Sequence, residues 1–306
     1  MGYAKVRSFG RSKRAWRLGF LLALGVGMGA ALPLPQASAQ TAPARRGEAF
    51  TFAVKMLGSL EAGRARLALS PPQPSPTGPI VRVIGESEAL GVAKALTGWH
   101  MSYNLILDAA TLLPKRMEQV DTGKVPREAT FLVNGKSFEM KVKKPGGEWQ
   151  TKGELRSELL DPMSVLLLLR GVKLTDGERL SLVVSGGTAV YRGELTVVGR
   201  EQITTAAGPK RAIHLSGRGL RINERDEIIG QFPWIGELWL SDDAYRLPLY
   251  IKAETILGMA EFSLTSYEAG SRPLAVPRNP RGITVETKSA EAKPASHDTK
   301  APPAAK

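Results

Sequence analysis

The chain has 306 residues, no cysteine and a formal net charge of +13 at pH 7. Without cysteine there is no disulfide, no thiolate chemistry and no lipoprotein acylation site, and most structural zinc sites fall away. The charge suggests nucleic acid, but Gly47 to Ser271 hold 27 basic and 26 acidic residues, a net of +1. Nucleic-acid modules concentrate basic charge on the folded domain, so no nucleic-acid partner is expected.

The first segment carries Lys5, Arg7, Arg11, Lys13, Arg14 and Arg17 and no acid. Leu18 to Leu32 follows, 15 residues without a charge, then Pro33, Pro35 and the small-x-small triplet Ala37-Ser38-Ala39. This is the layout of a cleavable secretory signal. Spanning a bilayer takes about 20 apolar residues, so a membrane anchor is the poorer reading. Residues 1–39 are therefore expected to be removed, leaving a periplasmic chain that begins at Gln40 and has no transmembrane segment. Lys13 in place of a first arginine favours the general secretory route over the twin-arginine one. Residues 40–46 read as a linker.

From residue 47 apolar and polar residues alternate with the period of half-buried strands. Phe50, Phe52, Val54 and Met56 share a face, and Leu67 and Leu69 follow, with Gly58 and Gly63 as turn residues between them. Ala89 to Thr97 has Leu90, Ala93 and Leu96 at helical spacing and ends at Gly98. Phe131 and Val133 lead into Asn134-Gly135, a pair suited to a tight hairpin turn, and Phe138, Met140 and Val142 continue. Asp161-Pro162 marks a helix start, aspartate at the N-cap and proline at the first helical position. That helix runs through Met163 and Leu166 to Leu169 and stops before Gly171; apolar nearly all round, it is expected to be buried. Leu180 to Val184 and Ala189 to Val198 read as a hairpin, and Leu238 to Leu240, Leu247 to Thr255 and Ala260 to Tyr267 as three further strands. In the second of these, Leu249, Ile251 and Ala253 are expected to share a face. Residues 272–306, rich in Ala, Pro and Lys, have too few apolar residues for a core and read as a disordered tail.

Candidate chemistry is sparse. Between residues 47 and 271 there are two histidines, His100 and His214, and neither has the partners of a nucleophilic or metal site within its local sequence. His214 is placed on a solvent-facing strand position and His100 reads as a packed or capping residue. Asp242-Asp243 lie between two strands, where a turn role fits better than paired catalytic carboxylates. Arg225, Asp226 and Glu227 form a charged cluster without metal-ligand spacing. No catalytic residue, metal or cofactor is therefore expected. Phe232, Trp234 and Trp239 crowd one short stretch; such a cluster packs into a core or lines an apolar cavity.

Several stretches carry a resemblance to a known family: Gly47-Glu48-Ala49-Phe50-Thr51-Phe52, Asp108 to Arg116, Asp161-Pro162 with Leu169-Arg170, Val198-Gly199-Arg200-Glu201, and Leu238 to Pro248. In order and with few gaps, they resemble the bacterial exported-protein family catalogued as domain of unknown function 3108. The resemblance implies export in Gram-negative bacteria; it brings no activity and no catalytic residues.

The expected fold is all-β and mainly antiparallel: one strongly curved sheet or half-open barrel of ten or more strands over residues 47–271, with one or two short helices on its concave side. The expected function is non-enzymatic. One form is a carrier sheltering a lipid or other apolar molecule, with Trp239, Trp234, Phe232 and Leu167 as ligand-binding residues. The alternative is an envelope scaffold or interaction domain with a solid core and a protein partner. A cavity of several hundred Å³ separates the first from the second.

Overall fold

A computed structural model describes residues 47–56, 60–186, 189–230, 234–255, 258–270 and 275–286; the signal and linker segments, Phe232 and the last twenty residues lie outside these. The chain opens with β1 (Ala49–Met56), β2 (Leu60–Leu69) and β3 (Ile80–Ala89), then α1 (Gly91–Thr97), β4 (His100–Asp108) and β5 (Pro114–Thr122). Next come β6 (Arg127–Asn134), β7 (Ser137–Lys144), β8 (Gly147–Glu154), the two-residue β9 (Leu159–Leu160) and α2 (Pro162–Leu169). The remainder is β10 (Arg179–Ser185), β11 (Val190–Thr205), β12 (Gly208–Ile222), β13 (Trp234–Ser241), β14 (Pro248–Thr255), β15 (Gly258–Glu268) and β16 (Ile283–Glu286).

All sixteen strands belong to one open sheet, ordered β16-β10-β11-β12-β13-β14-β15-β1-β2-β3-β4-β5-β6-β7-β8, with β9 added parallel to β10. It is two antiparallel meanders, β1 to β8 and β10 to β15, sewn together where β1 pairs with β15. The ribbon curls back on itself. Beyond β8 the Arg156 amide donates to Asp226 Oδ2 at 3.2 Å, in the loop after β12, and the Leu155 amide donates to the Lys136 carbonyl at 3.0 Å. The inner face collects one apolar core, which includes Phe52, Leu105, Phe131, Leu180, Phe262 and the buried leucines of α2.

Local chemistry explains some of the element ends. Asp161 caps α2: its Oδ1 accepts from the Met163 amide, and Ser164 Oγ accepts from the Asp161 amide, a capping box with proline at the first helical position. The Asn134-Gly135 hairpin forms one residue later than expected. Asn134 pairs with Ser137, so the turn residues are Gly135 and Lys136, and Gly135 takes the positive φ of 61°. Gly63 is a strand residue rather than a turn residue: it opposes Val54, and a Cβ there would come 2.5 Å from the Glu88 carbonyl oxygen. Gly58 lies outside the described residues.

Two further expectations are corrected. Leu249 leaves the face of Ile251 because a bulge interrupts the β13–β14 register at Trp239/Leu240; it packs instead with Ala212 and Trp239. Of the two helices, α2 fills the concave side, while α1 buries only Ala93, leaves Val92 and Leu96 about 60% exposed and lies beside β2 and β3. Residues 275–286 do not stand apart as a tail, since β16 pairs with β10 and Ile283 joins the core.

Candidate functional site

α2 is the inner-face element that holds polar groups at both ends. At its N-terminus Asp161 is 1% exposed and accepts a hydrogen bond from the Tyr103 hydroxyl of β4. Loss of water dominates over the three hydrogen bonds the carboxylate receives, and its pKa rises to about 6. Burial, with the Asp161 charge beside it, pushes the Tyr103 phenol well above its ordinary value.

At the other end, Arg170 Nη1 lies 2.7 Å from Glu48 Oε2, with side-chain exposures of 8% and 1%. Arg170 Nε donates to the Tyr245 carbonyl at 2.9 Å, and its guanidinium sits 6.0 Å from the Phe50 ring centroid. The family-like stretches meet here although they are far apart in sequence. Arg246, at φ 46°, donates to the Val172 carbonyl. Arg200 donates to the Leu174 carbonyl at 2.9 Å, pairs with Asp176 and lies 3.4 Å from Asp242. Asp243 has the expected turn role: its Oδ1 accepts from the Ser241 hydroxyl and from the Tyr245 and Arg246 amides. Asp108 does the same at the other family-like corner, accepting from the Ala110 and Thr111 amides.

Between α2 and β1–β3 lies an apolar cleft lined by Phe50, Leu67, Leu69, Val83, Met163, Leu167 and the Arg170 side chain, among others. Its volume is about 20 Å³, room for roughly one water, which needs about 10–15 Å³.

Of the four residues expected to line one cavity, Leu167 and Trp239 fall in separate clusters. Leu167 is buried on α2 and lines the cleft. Trp239 belongs to a separate cluster with Ala212 and Leu249, on the opposite face of β13 from Leu238 and Leu240, which join the inner core. Trp234 opens β13 across from Gly219. Phe232 lies outside the described residues.

Around Trp239 the outer face builds a small aromatic stack. His214 lies against the indole at 4.3 Å with an 8° interplanar angle, and Tyr250 flanks it at 5.1 Å. Trp239 Nε1 donates to Glu201 Oε1 at 2.5 Å, and His214 Nδ1 is 3.4 Å from the same oxygen. His214 does face outward, as its strand phase requires, but the indole covers it and its Nε2 is buried without a hydrogen-bond partner. His100 opens β4 exposed, so it neither packs nor caps. Asp226 is also buried, at 4% exposure, and Arg192 Nη2 donates to its Oδ1 at 2.7 Å; of the charged cluster read from sequence, Asp226 is thus a structural partner, and Arg225 and Glu227 are exposed. Among the described residues no group of three or more His, Asp or Glu is placed to hold a metal, and no helix is long and apolar enough to cross a membrane.

Sequence reading missed Glu48–Arg170 and Tyr103–Asp161 as pairs, since 122 and 58 residues separate their members. The one available signal was that Glu48, Asp161 and Arg170 all fall inside the family-like stretches.

No curated protein matches the chain. Among solved structures, it is similar to a beta-barrel-like protein of domain of unknown function DUF1849 from Brucella abortus, with 8% identity, 74% of this chain and 99% of that chain covered, and a TM-score of 0.47. It is also similar to a protein with a YmcC-like fold from Bacteroides fragilis, with 8% identity, coverage of 74% and 97%, and a TM-score of 0.34. Residues 51–265 match the model of the family described as "Protein of unknown function (DUF3108)", and the chain belongs to that family.

Proposed function

We propose that the chain is exported to the periplasm and works there, without enzymatic activity, as an interaction or scaffold domain of the cell envelope. One observation carries this reading: among the described residues the inner face is packed around α2. The α2 leucines complete the core, and the cleft beside them holds about 20 Å³, far below the roughly 300–1,000 Å³ of a small-molecule site. The basic start, the Leu18 to Leu32 run and Ala37-Ser38-Ala39 support the address. Native mass spectrometry of periplasmic material, combined with cross-linking in cells, tests both parts. The expected result is a ligand-free mass beginning at Gln40 and a cross-linked envelope protein. A stoichiometric lipid adduct overturns the scaffold reading, and a mass still including Met1 overturns export.

A second reading, a carrier for a lipid or acyl chain, keeps one specific support. The cleft wall is apolar on both the sheet and the helix side, so lifting α2 would extend it over the inner face. In that case Leu167 contacts the ligand, while Trp239, behind the sheet, keeps its fluorescence unchanged on uptake.

A further inference from the structure

The free side of β10 differs from every other strand edge in the sheet. Each other neighbouring pair comes from consecutive strands or from the β1–β15 seam, whereas β10 is covered by two short pieces from elsewhere, β9 and β16. β16 has four residues. Ile283 is buried opposite Leu182, and Thr284, Val285 and Glu286 are exposed. Its last residue is specified as well, because Glu286 Oε1 accepts from Ser181 Oγ at 2.7 Å and lies in register with Arg179. β16 also falls beyond residues 51–265, the extent of the family match.

The segment leading into β16 grips the chain on either side of α2. Arg281 pairs with Glu158, and Gly282 packs on Leu160, just before the helix. Just after it, Gly171 is so close to the strap that a Cβ there would lie 2.2 Å from the Pro277 carbonyl oxygen. A short, mostly exposed strand at the end of a sheet opens at low free-energy cost, and an open strand edge is a template for another chain.

We infer that the free side of β10 is a strand-acceptor site, filled in cis by residues 283–286 and able to exchange them for an extended segment of a partner protein. That segment carries an aliphatic residue at the Ile283 position and an acid three residues on. Main-chain pairing supplies the affinity, and the Leu182 and Ser181–Arg179 positions supply the selection. This rests on the interaction-domain reading and names the surface and partner class for it.

The test uses a fluorescent peptide of residues 280–287 and the full chain in three forms. Because the chain has no cysteine, Ser181→Cys with Thr284→Cys, directly paired across the two strands, forms a unique lock when oxidised. In Ile283→Asp the tethered strand is disabled, removing a competitor at millimolar effective concentration. The Ile283→Asp chain is expected to bind the peptide at least about tenfold more tightly than wild type, and the oxidised lock to bind none. The reduced double-cysteine chain lacks the Ser181 hydroxyl just as the locked one does, so the two redox forms are compared with each other, with circular dichroism as the control for folding; the reduced form is expected to bind and the oxidised form not. A peptide with Asp at the Ile283 position is expected to bind none of them. Absence of binding to Ile283→Asp up to millimolar peptide, or equal binding to locked and unlocked chains, overturns the proposal. If the peptide fails while an envelope partner still cross-links, this surface falls and the interaction reading stands; a lipid adduct with intact peptide binding does the reverse.

Discussion

The two faces of the sheet solve different problems with similar residue types. Inside, α2 is apolar nearly all round and still ends in two buried polar contacts, Asp161–Tyr103 and Arg170–Glu48. Outside, Trp239, itself buried, stacks with His214 and Tyr250 and donates to Glu201, whose side chain is half exposed. A buried charge is costly unless paired, so the inner pairs are constraints on where α2 sits. The outer stack chiefly shields one strand from solvent. Mutations should therefore separate the faces by size of effect.

The largest effect is expected inside. Leu168 is fully buried, and Leu168→Asp places an unpaired charge in the core at a cost of several kcal/mol; most of the chain should unfold by circular dichroism at 37 °C. Melting like wild type would mean that α2 is not packed as described. Next comes the clamp. Glu48→Ala strands the Arg170 guanidinium and should cost about 3–5 kcal/mol. A double replacement, Glu48→Leu with Arg170→Met, should recover much of that loss in a urea titration, because the penalty comes from the orphaned charge.

Trp239→Ala ranks third. A large aromatic in a tight core costs roughly 3–5 kcal/mol on truncation; Trp239 sits in a small cluster with two other buried residues, so it should fall at or below the low end of that range. A loss equal to that of the clamp would make the outer stack part of the core in energetic terms.

The smallest effect is a dependence on pH. The Asp161 carboxyl has a folded pKa of about 6, above its ordinary 3.8. Between these values the folded chain holds the proton more tightly than the unfolded chain does. The contribution of Asp161 is thus most favourable below about pH 4 and declines as pH rises through 6, where it levels off. Asp161→Asn keeps an N-cap acceptor and should remove this slope. The difference in melting temperature between the variant and wild type should change across pH 4–6 and stay constant from 7 to 8. A difference that is flat throughout would mean that the carboxyl is not desolvated.

What could be read in advance follows from range. The α2 boundaries were legible because Asp161, Pro162 and Gly171 are local signals beside an unmistakable apolar run. The alternating strands were legible for the same reason. Leu249 was misassigned because a bulge moves a residue to the other face without leaving a local trace. Leu167 and Trp239 could not be placed relative to each other in advance, because alternation along a strand does not say which face meets a helix about 70 residues away. Ile283-Thr284-Val285-Glu286 is a strand sequence in its own right, hidden by the composition of the residues around it. Arg170 gave no hint that it would be buried until Glu48 stood beside it.

The β1–β15 seam has a kinetic consequence. Each meander is a run of hairpins that closes short loops, whereas the seam brings Ala49 opposite Glu268. Pairing across such a separation is entropically costly and comes late. Until the seam forms, β1 and β15 each present an unpaired edge lined with apolar residues, so the newly made chain is most exposed to aggregation after both halves have folded and before they join.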